Sequence, residues 1–432
     1  MNKILLILLF LLTLPLNAQF KVSGEIQNFS EKDLMIRIFN GPGDILINKI
    51  KTDKNGKFSV NIPKYRGVVR LTDTSQQSVL DILSDNEAVN FTATYRNNNF
   101  TDLKFTEGKS AQAFQQFLSV DGFKDVKNNV FPIIKPLYKE TDEFYQAILK
   151  EEKRIEALNP TIESPLLDYY VAITELANRP FEGKFAADRH KENLEKRLIS
   201  DNDYLEGTGF MPKLVLDYLR AAIFGANSQE EINSTIEKEL DDLLEKADLE
   251  TSRGQNILSS VFLVLPSEQF SSLLEKYYAK ANALTCEITD ELKSNLSAHK
   301  STIPGSQVPN IIFQKPVNGY KSLYDVKADK KIIMFWASWC PACNDELPFV
   351  KEYYRSFKEN GGEIVSISLD YDAGMFNSAT HDVEWVNYTE LLQWDTQAVQ
   401  DFGVTSTPTL FLVDKDNKLI KKATHISELV EF

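Results

Sequence analysis

From Phe20 to about Phe105, apolar and polar residues alternate with a period of two. In "LMIRIF" Leu34, Ile36 and Ile38 share one face; "GKFSVNI" repeats this with Phe58, Val60 and Ile62, and "AVNFTATY" with Val89, Phe91, Ala93 and Tyr95. That alternation marks half-buried strands. Asp53-Lys54-Asn55-Gly56 stands before the second run, and Asn-Gly tolerates the positive φ of a tight hairpin. The pattern predicts an antiparallel, all-β, sandwich-like module over residues 19–106.

Near Gly108 the spacing becomes helical, with Ala113, Phe114, Phe117 and Leu118 on one face. "DEFYQAILKEEKRIEAL" and "STIEKELDDLLEKADLE" are amphipathic, with charges gathered on one side. Pro160, Pro165, Pro180, Pro212 and Pro266 punctuate the stretch. An α-helical region over 107–300 is expected, without a clear fixed-period repeat. "STIPGSQVPN" then reads as a linker, 301–310. Over 311–432 strands and helices alternate. Lys331 to Trp336 and Glu363 to Leu369 are short buried strands, and Cys340 to Glu359 is a helix. Thr409–Val413 and Lys418–Lys422 form a hairpin across Asp416-Asn417. This is an α/β layout, so the fold class is multidomain: β module, helical middle, C-terminal α/β domain.

Length and charge narrow the function. At 432 residues several domains are expected. A formal net charge of -14 argues against nucleic acid or an anionic membrane as partner. Lys3, the apolar run Ile4 to Leu14, Pro15 and then Leu16-Asn17-Ala18 before Gln19 read as a signal peptide over 1–18. The run is shorter than the about 20 residues that span a bilayer. The mature chain is therefore expected to be exported, soluble and without a transmembrane span.

Only Cys286, Cys340 and Cys343 occur, too few for a disulfide-stapled scaffold. Cys286, in "ALTCEITDEL", reads as a buried inert thiol. Cys340 and Cys343 stand in "FWASWCPAC", behind a β-prone run and at a helix start. Disulfide exchange needs a thiolate, a second thiol to resolve the mixed disulfide, and a route for a proton. The N-terminus of a helix lowers the pKa of Cys340 from about 8.5, and Cys343, one turn inside, suits the resolving role. Pro341 fits the first turn, where a missing N–H costs little. The absence of a histidine between the cysteines favours a reductant over a strong oxidant. A zinc site is disfavoured because His190, His299, His381, His425 and Cys286 show no ligand spacing. A purely structural disulfide would close too small a loop to restrict the unfolded chain much.

Trp339-Cys340-Pro341-Ala342-Cys343 at a strand-to-helix junction resembles the thioredoxin superfamily. Cys340-x-x-Cys343-x-x-Glu346-x-Pro348 resembles its TlpA/ResA-like branch of envelope thiol:disulfide oxidoreductases. "GVTSTPTLFLVDKDNKLI" is similar to the superfamily's second landmark. The resemblance implies a thioredoxin fold, a Cys340–Cys343 disulfide in the oxidised form, and a cis Thr407-Pro408 bond that offers backbone groups to a substrate chain. It also implies Trp339 and Pro341 beside the substrate. Thioredoxin's buried acid is replaced here by Met334, and Glu346 matches the helix carboxylate by which the branch handles the resolving thiol's proton. Pro348 would kink that helix. After the hairpin only "ATHISELVEF" remains, so the family's closing helix is at most short and one covering layer of the sheet is in doubt. At the front, Gly24 and "TDKNGKFSV" resemble the β-domain (DUF4369-like) that precedes such domains in Bacteroidetes envelope proteins.

These readings converge on an exported thiol:disulfide oxidoreductase of the periplasm or cell envelope, with Cys340 as nucleophile, Cys343 as resolving thiol and Glu346 as proton handler. Trp339, Pro341, Thr407 and Pro408 would hold the substrate. Neither a metal nor an organic cofactor is called for. Partners would be disulfide-containing envelope proteins and a membrane thiol reductant of the DsbD/CcdA type. Two alternatives stay open: a thiol peroxidase, whose Pro-x-x-x-Thr-x-x-Cys context is absent, and a non-enzymatic envelope binding protein with a secondary redox pair.

Overall fold

The computed structural model describes residues 19–158, 162–200 and 202–429; the expected signal peptide, 1–18, lies outside the described residues. The chain forms two compact units. One holds the described residues up to Ile36, with Lys49–Leu71 and Ser78–Val171; the other holds Arg37–Asn48, Thr72–Gln77 and the described residues from Ala172 onward.

The strands β1 (Gln19–Gln27), β2 (Asp33–Asn40), β3 (Gly43–Lys51), β4 (Lys57–Pro63), β5 (Arg66–Thr72), β6 (Val79–Asp85), β7 (Val89–Arg96) and β8 (Asn99–Glu107) form two four-stranded sheets, ordered β4-β1-β7-β8 and β3-β2-β5-β6. In β4 the alternation is complete: Phe58, Val60 and Ile62 are buried and the residues between them exposed. Two expectations are corrected here. The module is not wholly antiparallel, because β1 pairs antiparallel with β4 but parallel with β7 (Val22 opposite Val89, Ile26 opposite Ala93). A period of two is identical for either direction, so the pattern could not tell them apart. The Asp53–Gly56 turn exists, with Gly56 at φ 76° and Asp53 Oδ1 accepting the Asn55 and Lys57 amides at 2.8 Å. It does not close a hairpin, however, since β3 and β4 belong to different sheets. Gly24 lies where β1 meets β7, and a Cβ there would come within 2.7 Å of the Phe91 carbonyl oxygen.

The helical middle contains α1 (Lys109–Asp125), the short α2 (Phe131–Ile134), α3 (Glu143–Glu156), α4 (Pro165–Ala177), α5 (Lys184–Leu198), α6 (Met211–Ala222), α7 (Gln229–Ala247), α8 (Ser252–Val264), α9 (Ser267–Asn282) and α10 (Asp290–Lys300). Side chains fix several starts: Ser164 accepts the Leu167 amide, Ser228 that of Glu231, Thr251 that of Gly254 and Thr289 that of Leu292, and the Glu87 carboxylate accepts the Lys109 and Ser110 amides at the start of α1. Such caps satisfy amides that the first turn cannot pair internally. α5 packs on α6, α6 on α8 and α8 on α10.

The C-terminal region has a hairpin, β9 (Ile312–Val317) and β10 (Tyr320–Ser322), then β11 (Lys330–Trp336), α11 (Pro341–Glu359), β12 (Gly362–Ser368), α12 (Ala373–Thr380), β13 (Val386–Thr389), α13 (Gln397–Asp401), β14 (Thr409–Asp414) and β15 (Leu419–Ala423). Its five-stranded sheet runs β13-β12-β11-β14-β15, with β13, β12 and β11 parallel and β14 and β15 antiparallel. The central strand β11 is buried from Lys331 to Trp336. Parallel strands covered on both faces read as continuous apolar runs, and "IIMFW" is such a run. The 301–310 stretch lies along β15: Gly305 donates to the Leu419 carbonyl at 2.7 Å, Leu419 to Ser306 at 2.8 Å and Val308 to Asn417 at 2.9 Å. α10 packs against α13, with Ser301 Oγ donating to the Phe402 carbonyl at 3.1 Å. The helical middle thus packs onto the C-terminal region through α10.

Lys331 breaks the apolar run of β11. It is 1% exposed, and its ammonium donates to the carbonyls of Leu323 (3.4 Å) and Val326 (3.1 Å) and to Asn417 Oδ1. Burial disfavours the charged form and pushes its pKa down to about 8. Below that pH both folded and unfolded chains carry the proton and the burial cost is constant. Between about pH 8 and about pH 10 the unfolded chain holds a proton that the folded chain has released, so stability rises with pH. Denaturant titrations near pH 7.5 and 9.5 should show wild type gaining on the order of 1–3 kcal/mol relative to Lys331→Met.

Candidate active site

The site is built at the end of β11. After Trp336 the chain leaves the sheet and turns into α11 within four residues, and a buried acid fixes that turn. Asp370, fully buried just beyond β12, accepts the Ser338 amide (3.2 Å) and hydroxyl (2.6 Å) on Oδ1, and the Ser368 hydroxyl (2.6 Å) on Oδ2. Trp339 Nε1 donates to the Leu369 carbonyl at 3.1 Å, and Asn344 Nδ2 to the Ser338 carbonyl at 2.9 Å. Sequence reasoning missed Asp370; the only trace of it is an acid closing the strand "IVSISLD".

Cys340 is the N-cap of the 19-residue α11 and Pro341 its first residue. The Cys343 amide donates to Cys340 Sγ at 3.2 Å. The two sulfurs form a close pair with Cα atoms 5.3 Å apart, inside the disulfide range. Cys340 is 5% exposed and Cys343 fully buried, while Pro341 and Ala342 are exposed. Across from them the Thr407-Pro408 bond is cis, and the Thr407 carbonyl oxygen lies 3.5 Å from Cys340 Sγ. Pro408 is buried and Thr407 half-buried. A sulfur at a helix start, beside an amide donor, sits where a thiolate is favoured.

Glu346 lies on the same buried face of α11 as Cys343, Val350, Tyr354 and Phe357. Its carboxylate is held by the C-terminal turn. Oε1 accepts the Ile426 amide at 2.6 Å, and Oε2 lies 2.9 Å from His425 Nδ1. The hydrogen bond to Glu346 raises the His425 pKa above its ordinary value. That turn, a single 3-10 turn at Ile426–Leu429 with Ile426 and Leu429 buried, stands where a closing helix was expected to be short or missing. His425 was not singled out for the redox site by sequence reasoning, because 79 residues separate it from Glu346.

The remaining sequence candidates fall elsewhere. Trp336 and Trp385 are core, and Trp394 is partly buried against it. Cys286 is not the buried thiol expected: it is half-exposed, receives a hydrogen bond from Gln255 Nε2 at 3.1 Å, and its pKa is raised by the Glu250 carboxylate. A polar loop before α10, rather than an apolar core, surrounds it. Cavities of about 610 and 500 Å³ share His299, Thr302 and Lys422 in their walls, and neither has a cysteine among its lining residues. The sulfur pair thus lies outside these two cavities.

A sheet of this order, with a Cys-x-x-Cys pair at the start of the helix after its central strand and a cis-proline loop opposite, defines a thioredoxin-like domain. Residues 304–422 match the AhpC/TSA family. The thiol-disulfide oxidoreductase ResA of Bacillus subtilis is 29% identical over 145 residues, 33% of this chain and 79% of that protein. ResA of Bacillus cereus is 27% identical over 118 residues, 27% of this chain and 68% of that protein. The thioredoxin domain of a Bacteroides vulgatus thiol-disulfide oxidoreductase aligns at 24% identity and a TM-score of 0.27, over 30% of this chain and 94% of that one. Over its C-terminal third the chain thus carries a TlpA/ResA-like, thioredoxin-like domain similar to these thiol:disulfide oxidoreductases.

If Asp370 fixes the turn, Asp370→Ala should leave the Ser338 amide and two hydroxyls without an acceptor. A loss of about 2–3 kcal/mol is expected in denaturant unfolding, with faster hydrogen exchange at Ser338.

Proposed function

We propose that this chain reduces disulfides in exported proteins through a Cys340–Cys343 dithiol. The observation that carries this reading is Cys340 Sγ at the start of α11, with the Cys343 amide on one side and the Thr407 carbonyl on the other. The Cys340 thiolate attacks one sulfur of a client disulfide; a mixed disulfide forms and one client thiolate leaves. Cys343 then gives its proton to Glu346 and attacks Cys340 Sγ. The Cys340–Cys343 disulfide forms, the second client thiolate leaves, and two electrons have passed to the client. The Thr407 carbonyl lies against Cys340 Sγ, and Trp339, Pro341, Thr407 and Pro408 would align the client strand.

The oxidised pair must be reduced again, and a membrane thiol reductant of the DsbD/CcdA type fits an exported enzyme. In this reading residues 1–18 are a cleaved signal peptide, 19–106 a β-domain, 107–300 a helical region, 301–310 a connection and 311–432 the redox domain, working in the periplasm or cell envelope. The apolar N-terminal run and the disulfide chemistry, which suits an oxidising compartment, support that placement. The match to the AhpC/TSA family favours one second reading, a thiol peroxidase.

With a disulfide-containing protein as substrate, Cys343→Ser should accumulate a mixed disulfide through Cys340, and Cys340→Ser should form none and lose at least about 10³-fold in reduction rate. Mass spectrometry of the trapped species checks the first and a turbidity assay the second. Peroxide consumed faster than the protein disulfide would overturn this in favour of the peroxidase.

A further inference from the structure

The C-terminal turn does more than close the sheet. Glu346 is 7% exposed, and both of its oxygens meet that turn. The Ile426 amide on Oε1 is a fixed backbone donor. The donor on Oε2 is different in kind, because an imidazole gains and loses a proton near neutrality. The His425 side chain is 62% exposed while that of Glu346 is 9% exposed, so the ring joins a buried carboxylate to water.

We infer that His425 is a positioning residue for Glu346: it fixes Oε2 of the buried carboxylate and makes that hold, and with it the resolution step, depend on pH. The inference rests on the reading that Glu346 takes the Cys343 proton. As an imidazolium, His425 donates Nδ1–H to Oε2, and with Ile426 on Oε1 the carboxylate keeps one orientation and a free lone pair for the thiol proton. When the ring loses its proton to water, Nδ1 carries a hydrogen in only one of two tautomers. The hold on Oε2 then weakens.

The charged groups facing the ring are few. Glu346 approaches from α11. Glu428, on the turn itself, accepts the Thr424 (3.0 Å) and His425 (2.9 Å) amides. Lys421, on β15, donates to the Glu428 carbonyl at 2.9 Å. Two carboxylates therefore stabilise the imidazolium, and its pKa is raised chiefly by the bond to Glu346. A raised histidine contributes stability that is complete below its unfolded value and lost as pH rises through the folded one. The transition in the chemistry should fall at that same folded value, above the ordinary 6.5.

The test uses the reduced full-length protein and a small aromatic disulfide between about pH 6 and about pH 9. The first thiol released reports attack by Cys340 and the second reports resolution by Cys343. In wild type the second phase should inflect above the ordinary histidine value. His425→Ala should slow that phase about tenfold at the acid end, less than the 10²–10⁴ of a group that itself moves the proton, and abolish the inflection. His425→Asn, whose amide replaces the Nδ1–H donor, should restore the rate but not the inflection. The first phase should not change. If His425→Ala superimposes on wild type while Glu346→Gln does not, the inference is overturned and the role of Glu346 stands. If Glu346→Gln also superimposes, that role fails and the inference with it.

Discussion

The proposed chemistry depends on placing one sulfur at the first turn of a helix. The N-terminus of α11 presents amides with no partner inside the helix, and Cys340 Sγ takes the amide of Cys343 at 3.2 Å. The rest of the domain keeps that contact in register. β11 lies at the centre of the sheet and aims the chain, Asp370 holds the turn after it through Ser338, and the Thr407 carbonyl closes the other side. A buried acid serves here as an anchor because three donors converge on it; without them its burial would be costly.

What was legible in the sequence follows from how local each signal is. The CxxC motif, the strand before it and the helix after it are local, so "IIMFWASWCPAC" predicts β11, the N-cap and the start of α11 within a residue. Alternation exposed three strands of the front module, β2, β4 and β7, but not their directions, so the parallel β1–β7 pair was missed. β13 is four residues long and β10 three, too short to show a period. The partners of the site were invisible for a different reason. Asp370 meets Ser338 across 32 positions, and His425 meets Glu346 across 79. Only the fold brings them together.

The turn that follows β15 is also informative. A single turn after β15 buries Ile426 and Leu429 and supplies both partners of the Glu346 carboxylate. α10 and Ser301 cover the neighbouring α13 and Phe402. The helical middle is thus part of the support of the redox domain. Cys286, despite being a thiol in an enzyme of this class, sits half-exposed in a separate polar setting with Gln255 and Glu250.

The central claim is that the Cys340–Cys343 pair is a reducing dithiol. Equilibration of the full-length protein with thiol buffers of known potential, with the oxidised fraction read by alkylation and mass, tests it most directly. The absence of a histidine between the cysteines predicts a value near that of thioredoxin, about -270 mV. A value near about -120 mV, that of a strong oxidant, would contradict the account and make the protein a source of disulfides instead.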